Sequence, residues 1–473
     1  MKIIGRSREQ KALQKLLDSM KSEFLTIYGR RRVGKTFLIR EYYKSHTVFR
    51  CSGINTNSME DQLEVFYEGM LQSGLLAISP PSSWLEAFRA LKFHIDSLKT
   101  KKKKVIFLDE ISWLDTPRAK FVPALSHFWN TYCVERNDII LVVCGSVSTW
   151  ITENILNNRG ELHNRSTKRI RLKPFSLYET ESFLKHRRVS LSRKDIAQLY
   201  MLVGGIPYYL ETVDPGKSIP QIMDDLFFGE LPALDNEYEN LYPALFKNSD
   251  HHITVVSALS KKNVGLTRQE ILDVTGLKSG GSFTKVLTEL ESCGFIKTIQ
   301  PIDKKKEDVL YRLMDEYSIF YHKYIKPKRV TSGIGLGNSR TFNIWSGFTF
   351  ENLCIRHSKH IAYALGISGT DWSIYSFKDK TKTGEGAQID LILDRPDAIN
   401  IIEAKYYNDV YKMSLSEARK MRNRIQSFLD KTQSKKSIFR VLITPYGAKK
   451  NEHYLSEITN DLVIDDLYVD IAI

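Results

Sequence analysis

The chain of 473 residues is short of cysteine, of long apolar runs and of acid, and each shortage excludes something. Its cysteines (Cys51, Cys133, Cys144, Cys293 and Cys354) lie far apart and form no C-x-x-C pair. That spacing argues against a disulfide framework or a zinc site and for a reducing compartment. No apolar stretch approaches the ~20 residues a membrane span needs. The opening MKIIGRSREQ is too short and polar for a secretory signal. A cytoplasmic protein without a membrane partner is the expectation. The acid shortage, 55 Asp and Glu against 69 Lys and Arg, leaves a net charge of +14. Such a balance points to an anionic partner, most commonly nucleic acid, although a basic surface without function gives the same number. Hydrophobic content of 42% and charged content of 26% are those of an ordinary folded chain. The length suggests roughly three domains.

What is present centres on Phe24–Leu38, FLTIYGRRRVGKTFL. A short apolar strand runs into Gly29-Arg30-Arg31-Arg32-Val33-Gly34-Lys35-Thr36 and then into a helix, the P-loop pattern in its proper setting. Gly29 and Gly34 permit the tight turn that aims successive N–H groups at phosphate oxygens. The helix N-terminus adds its free N–H groups. Lys35 is placed to reach the β- and γ-phosphates, and Thr36 to offer its hydroxyl to Mg²⁺. Further on, Val105-Ile106-Phe107-Leu108 reads as a buried parallel strand ending in Asp109-Glu110. Ligands in open α/β sheets gather at such strand ends. Asp109 is the expected Mg²⁺ holder and Glu110 the base for an attacking water. Ile139–Val143 is another buried strand, followed by Cys144-Gly145-Ser146. Arg159, Arg165 and Arg169 follow as candidates for an arginine finger, with Arg165 foremost.

Gly5-Arg6-x-Arg8-Glu9, YGRRRVGKT, FLDE, CGS and Gly204-Gly205-Ile206-Pro207-Tyr208-Tyr209-Leu210 occur in that order. Over about residues 1–250 this order resembles the archaeal and bacterial P-loop ATPases of the STAND branch of AAA+. The resemblance implies ATP as ligand, Ser146 as a sensor of the γ-phosphate, and Gly205 and Pro207 in a helical lid beside the adenine.

From His252 the texture changes. Helices are expected at Ile253–Leu259, from Thr267 to Gly276, and at Phe283–Cys293 with Val286, Leu287 and Leu290 inward. Thr267 and Glu270 form a capping box. A hairpin follows, turning at Asp303–Asp308, which completes a winged helix-turn-helix. Its third helix would offer Lys278, Ser282 and Lys285 to DNA, or serve packing alone.

Lys326–Asn343, with its glycines and proline, reads as a loop and a boundary. A helix carrying Glu351 comes next, then strands near Trp372–Phe377, Gln388–Asp394 and Ile399–Lys405, a helix from Ser414, and strands at Phe439–Thr444 and Leu462–Val469. The turn Arg395-Pro396-Asp397-Ala398 sets position 394 against 399, hence Asp390 against Glu403 and Gln388 against Lys405, all on one face. Opposed carboxylates only ~5 Å apart repel unless a cation lies between them, which implies Mg²⁺ or Mn²⁺. Lys405 would handle a water or steady a phosphate. Asp390…Glu403-Ala404-Lys405 resembles the PD-(D/E)xK nuclease motif, with Ile389 where that motif has proline. The resemblance implies that Glu351 completes the site.

The fold expected is therefore α/β: a P-loop ATPase core over 1–170, a helical lid over 171–250, a winged helix over 251–325 and a restriction-endonuclease-like domain over 326–473. The function expected is ATP hydrolysis controlling a metal-dependent nuclease acting on DNA. A nucleotide-driven switch whose C-terminal domain does not cleave, or a DNA-binding regulator, are the alternatives, and a homo-oligomer is compatible with each.

Overall fold

The computed structural model describes residues 2–75, 79–146, 148–156, 162, 164–246, 248–304, 308–379 and 386–471. The chain divides into two compact units, Met1–Pro174 and Phe175–Ile473. Among the described residues, no helix is long and apolar enough to cross a membrane.

The first unit is built on five strands: β1 (Glu23–Tyr28), β2 (Thr47–Ser52), β3 (Lys104–Asp109), β4 (Ile139–Gly145) and β5 (Lys168–Arg171). They lie in the order β2-β3-β4-β1-β5, and every neighbouring pair is parallel. A parallel sheet is covered on both faces, so β3 and β4 read as unbroken apolar runs rather than alternating ones. Their residues are buried throughout. One covering layer comes from helices Met59–Gln72, Trp84–Ser97 and Phe121–Phe128. Phe66, Trp84, Phe88 and Phe121 meet there ring to ring. Each such burial is worth roughly 1.5–3 kcal/mol, which anchors the strand ends that carry the site.

The second unit begins with helices Leu177–His186 and Arg193–Val203. Three helices, Asp250–Leu259, Arg268–Thr275 and Gly281–Ser292, then lead into the antiparallel hairpin of β6 (Ile296–Pro301) and β7 (Leu310–Leu313). The capping box forms: Glu270 N donates to Thr267 Oγ1 at 3.2 Å, and Thr267 N donates to Glu270 Oε2 at 2.8 Å. Phe283, Val286, Leu287 and Leu290 are buried, as the spacing implied. Residues 305–307 of the expected turn lie outside the described residues.

Helix Arg340–Arg356 is followed by β8 (Ser373–Asp379), β9 (Ala387–Asp394), β10 (Ala398–Ala404), helix Leu415–Thr432, β11 (Ser437–Thr444) and β12 (Asn460–Val463). The sheet order is β12-β11-β10-β9-β8-β6-β7, so the hairpin belongs to the same sheet. It joins β8 in parallel through Gln300↔Tyr375 and Pro301↔Ser376.

Two local expectations give way. The stretch read as a loop over Lys326–Asn343 contains a short helix, Gly333–Gly337, capped by Ser332. Its first glycine packs so closely on the backbone of Pro220 that a Cβ would lie 2.4 Å from that carbonyl oxygen. The glycines there permit close approach rather than disorder. The last strand ends at Val463 and not Val469. Asp466 turns the chain into a 3-10 helix by accepting from Val463 N at 2.8 Å.

Candidate functional site

In the first unit β1, β3 and β4 are neighbours, with Tyr28 beside Gly145 and Leu108 beside Val143. Whatever follows these strands is thereby gathered at one edge of the sheet, which is why motifs over a hundred residues apart meet. Lys35 is the meeting point. Its ammonium donates to Gly29 O at 3.0 Å, to Arg30 O at 2.9 Å and to Ser146 Oγ at 3.0 Å. Ser146 Oγ in turn donates to Glu110 Oε1 at 3.1 Å. Asp109 is buried at the end of β3, where its Oδ1 accepts from Glu110 N at 3.0 Å.

The loop backbone is committed to this shape. Gly29 sits at φ 143°, and a Cβ on it would lie 2.3 Å from Leu172 O. Gly34 adopts φ 88° and caps helix Lys35–Tyr42 without a side-chain bond. The opening N–H groups of that helix are thus available to an anion. Arg32 and Glu110 hold left-handed φ values of 70° and 44°, the kind of strain that surrounding structure must enforce. Arg31 is exposed, whereas Arg30 and Val33 are buried.

The sequence did not disclose the part played by Arg6. It is buried, and its guanidinium donates to Val33 O at 3.0 Å and Lys173 O at 2.7 Å. The Gly-Arg-x-Arg-Glu segment therefore braces the P-loop from behind. Of the arginine-finger candidates, Arg165 and Arg169 are exposed, and Arg159 lies outside the described residues.

In the second unit, Gly205 N–Cα–C is wedged under Phe175, whose N–H donates to Gly205 O at 2.6 Å. A Cβ on Gly205 would lie 2.1 Å from Phe175 O. Pro207 opens a short helix, Pro207–Leu210.

The C-terminal carboxylates form a second cluster. β9 and β10 pair as Ile399↔Asp394, Asn400↔Leu393, Ile401↔Ile392 and Ile402↔Leu391. The next step in that register sets Glu403 against Asp390. Glu351, Gln388, Asp390, Glu403 and Lys405 all line one cavity of about 470 Å³. Helix Leu415–Thr432 closes it with Lys420, Asn423 and Arg424.

Each acid in the cluster already has a partner. Glu403 Oε1 lies 2.9 Å from Lys405 Nζ, and its Oε2 lies 2.8 Å from Arg424 Nη1. Gln388 Nε2 donates to both oxygens of Asp390 at 3.1 Å. Arg312, from β7, bonds Asp390 Oδ1 at 3.1 Å and Glu351 Oε2 at 3.4 Å. Burial would raise the Glu403 carboxyl, but the Lys405 and Arg424 charges outweigh it and hold it below its ordinary value. Glu351 goes the other way: burial, then the Asp390 charge, pushes it well above the carboxylate range despite Arg312. Arg312 and Arg424 were not anticipated. An arginine inside the apolar strand Val309-Leu310-Tyr311-Arg312-Leu313-Met314 was nevertheless a signal, because a buried guanidinium demands carboxylate partners.

The donor chemistry of the two sites differs in its fit to magnesium. Thr36 and Asp109 present a hydroxyl and a carboxylate beside the phosphate cradle, which suits a nucleotide-borne Mg²⁺. The C-terminal acids do not fit a resident divalent ion as they stand. Their oxygens face Arg312, Gln388, Lys405 and Arg424. Among the described residues, no three acid, histidine or cysteine side chains are grouped to hold a metal.

Residues 4–213 match the family model of an ATPase domain predominantly from Archaea. An uncharacterised protein of Methanocaldococcus jannaschii is 24% identical over 365 residues, 74% of this chain and 76% of that one. Among solved structures, a Walker-type ATPase of Pyrococcus abyssi is similar at 17% identity and a TM-score of 0.45, covering 68% of this chain and 96% of that chain. The ORC2 protein of Aeropyrum pernix in ADPNP-ADP complexes is similar at 15% identity and a TM-score of 0.43, covering 67% and 93%. With the loop, strand-end acids and serine described above, the matched segment makes the first unit a P-loop ATPase domain.

Proposed function

We propose that this chain hydrolyses ATP and that its nucleotide state governs a C-terminal nuclease-like domain acting on DNA. The observation that carries the reading is the gathering of Glu351, Asp390, Glu403 and Lys405 around one cavity, in a chain that also holds a complete phosphate cradle. Nucleotide entry would exchange the bonds of Lys35 to Gly29 O and Arg30 O for bonds to phosphate oxygens. A charged acceptor makes that exchange favourable. Mg²⁺ held by Thr36 and Asp109 would neutralise phosphate charge. Glu110 takes the proton of the attacking water, and Ser146 fixes its carboxylate through the 3.1 Å hydrogen bond. Around the second cavity the basic side chains Lys405, Lys420 and Arg424 rim the acids, a charge pattern that suits a phosphodiester backbone. The three-helix segment presents Lys278, Ser282 and Lys285 on its exposed face, as a DNA-contacting winged helix would.

A second reading is a nucleotide-driven switch whose C-terminal domain binds without cleaving, and Arg312 among the acids favours it. A plasmid-nicking assay in Mg²⁺ or Mn²⁺, with and without ATP, separates the two. Cleavage that disappears in Asp390→Ala and Glu403→Ala, and changes its ATP dependence in Lys35→Ala, supports the nuclease. Intact ATPase activity with no cleavage of duplex DNA, single strands or RNA sinks it in favour of the switch.

A further inference from the structure

Arg312 belongs to β7, in the hairpin that follows the three-helix segment, yet its guanidinium ends among the acids of the C-terminal cavity. It is only 1% exposed. Nε donates to Asn352 Oδ1 at 2.6 Å, Nη1 to Asp390 Oδ1 at 3.1 Å and Nη2 to Glu351 Oε2 at 3.4 Å. Asn352 is tied back to the same strand, its Nδ2 donating to Leu313 O at 3.2 Å. A planar fork of fixed donors is thus seated where two carboxylates converge.

The charges explain why such a seat is occupied at all. Glu351 and Asp390 without a cation would repel, and a buried pair of like charges is strongly disfavoured. One guanidinium supplies a single positive charge for two acids, and Glu351 accordingly keeps its proton well above the usual carboxylate range. A divalent cation would balance both, yet cannot take those oxygens while Arg312 holds them. Glu403 is no substitute ligand, since Lys405 and Arg424 engage both of its oxygens.

We propose that Arg312 is a displaceable plug: it closes the Glu351–Asp390 pair to divalent cations until the hairpin that carries it shifts. The inference rests on the nuclease-like reading of the second unit and adds what controls cation entry. The hairpin joins the rest of the sheet at few points, although a shift must also break the bonds from Asn352 to Leu313 O and from Arg356 to Met314 O. β6 meets β8 through two residue pairs, Gln300↔Tyr375 and Pro301↔Ser376. Within the hairpin, β6 meets β7 through four, from Ile296↔Leu313 to Ile299↔Leu310. The two strands therefore move together more readily than they part, and Arg312 travels with them.

The test is Mn²⁺ binding to the full chain without nucleotide, read from the paramagnetic resonance of the free ion. In the native chain, Asp390→Asn is expected to leave Mn²⁺ affinity unchanged, because the plug already excludes the ion from Asp390. Arg312→Met is expected to bind Mn²⁺ at least tenfold more tightly than the native chain, with the gain lost in Arg312→Met/Asp390→Asn. Arg312→Lys keeps the charge but cannot span both carboxylates, and its affinity should fall between. Circular dichroism establishes that each variant is folded. A native chain that binds Mn²⁺ through Asp390 as tightly as the variants overturns the plug, whether or not Arg312→Met folds. So does a folded Arg312→Met or Arg312→Lys that gains nothing, which would leave a permanent ion pair of the core. If Arg312→Met gains Mn²⁺ but still cuts no nucleic acid, the plug stands and the nuclease reading falls.

Discussion

Ser146 Oγ lies 3.1 Å from Glu110 Oε1 and 3.0 Å from Lys35 Nζ, so one hydroxyl links the expected base to the phosphate-binding lysine. Under the proposed reaction, phosphate arriving at Lys35 would be felt at Glu110 through that one hydrogen-bonding atom. Glu110→Gln keeps the shape and removes the proton acceptor. It should bind ATP as the native chain does and hydrolyse it roughly 10²–10⁴-fold more slowly. Ser146→Ala leaves the base in place but unsteered, and a loss of roughly 10–100-fold is expected, within the range of one lost hydrogen bond to a charged group. Phosphate release and binding of a fluorescent ATP analogue read the two effects separately. Native-rate hydrolysis by Glu110→Gln would remove the base from the scheme.

Arg6 acts on the same loop from outside it. Its bonds run to Val33 O, which is buried, and to Lys173 O, which is partly exposed, and Arg6→Ala removes the donor from both. An unmet buried partner costs about 1–3 kcal/mol, so the melting temperature should drop by several degrees. ATP affinity should weaken as well, because the loop must then be ordered by the ligand. Arg6→Lys restores charge but not the two-pronged geometry, and should rescue only in part. Unchanged affinity in a folded Arg6→Ala would show that the loop holds its shape unaided.

The difference between what the sequence disclosed and what it hid follows from sequence distance. The P-loop, Asp109-Glu110 and the Arg395–Ala398 turn are local patterns. Backbone chemistry within a few residues dictates them, and the Asp394↔Ile399 pairing emerges as the turn implies. Ser146 was legible only through the resemblance of the motif order; the pairing of β1 with β4 is what brings it beside Lys35. Arg312 stands 78 residues from Asp390 and Arg424 21 from Glu403. No local rule ties either pair. The glycines of Gly333–Gly337 misled for a related reason, since their contact with Pro220 is remote in sequence.

The three-helix segment offers a test of its own stability. Thr267 and Glu270 satisfy each other's backbone N–H groups at the start of helix Arg268–Thr275. Thr267→Ala removes the acceptor for Glu270 N and should cost about 1 kcal/mol. Glu270→Ala should cost a similar amount. The double variant should lose less than the sum, because the two bonds form one box. Urea unfolding of the three variants measures this, and strict additivity would mean the two caps act independently.

Acid should destabilise the second unit through two histidines, His357 buried and His322 half-buried. His322, hydrogen-bonded to Tyr238 Oη at 2.7 Å, is held down to about 4 by burial, then by Lys326 and Lys261. His357, whose Nδ1 donates to Leu353 O at 2.9 Å, is held down to about 3 by burial first and His360 next. Both must be neutral in the folded chain, whereas an unfolded histidine takes its proton near pH 6.5. Between those values the unfolded state binds more protons, so stability falls as pH drops from about 6.5 toward 4 and is complete above 6.5. His322→Gln keeps a hydrogen-bonding side chain without the titration. It should make the slope between about 6.5 and 4 shallower throughout, leaving in place the share that His357 contributes over the same range. Thermal unfolding from pH 7.5 to 4.5 checks the sign. A slope identical to that of the native chain would show that His322 is reached by solvent and charges in place.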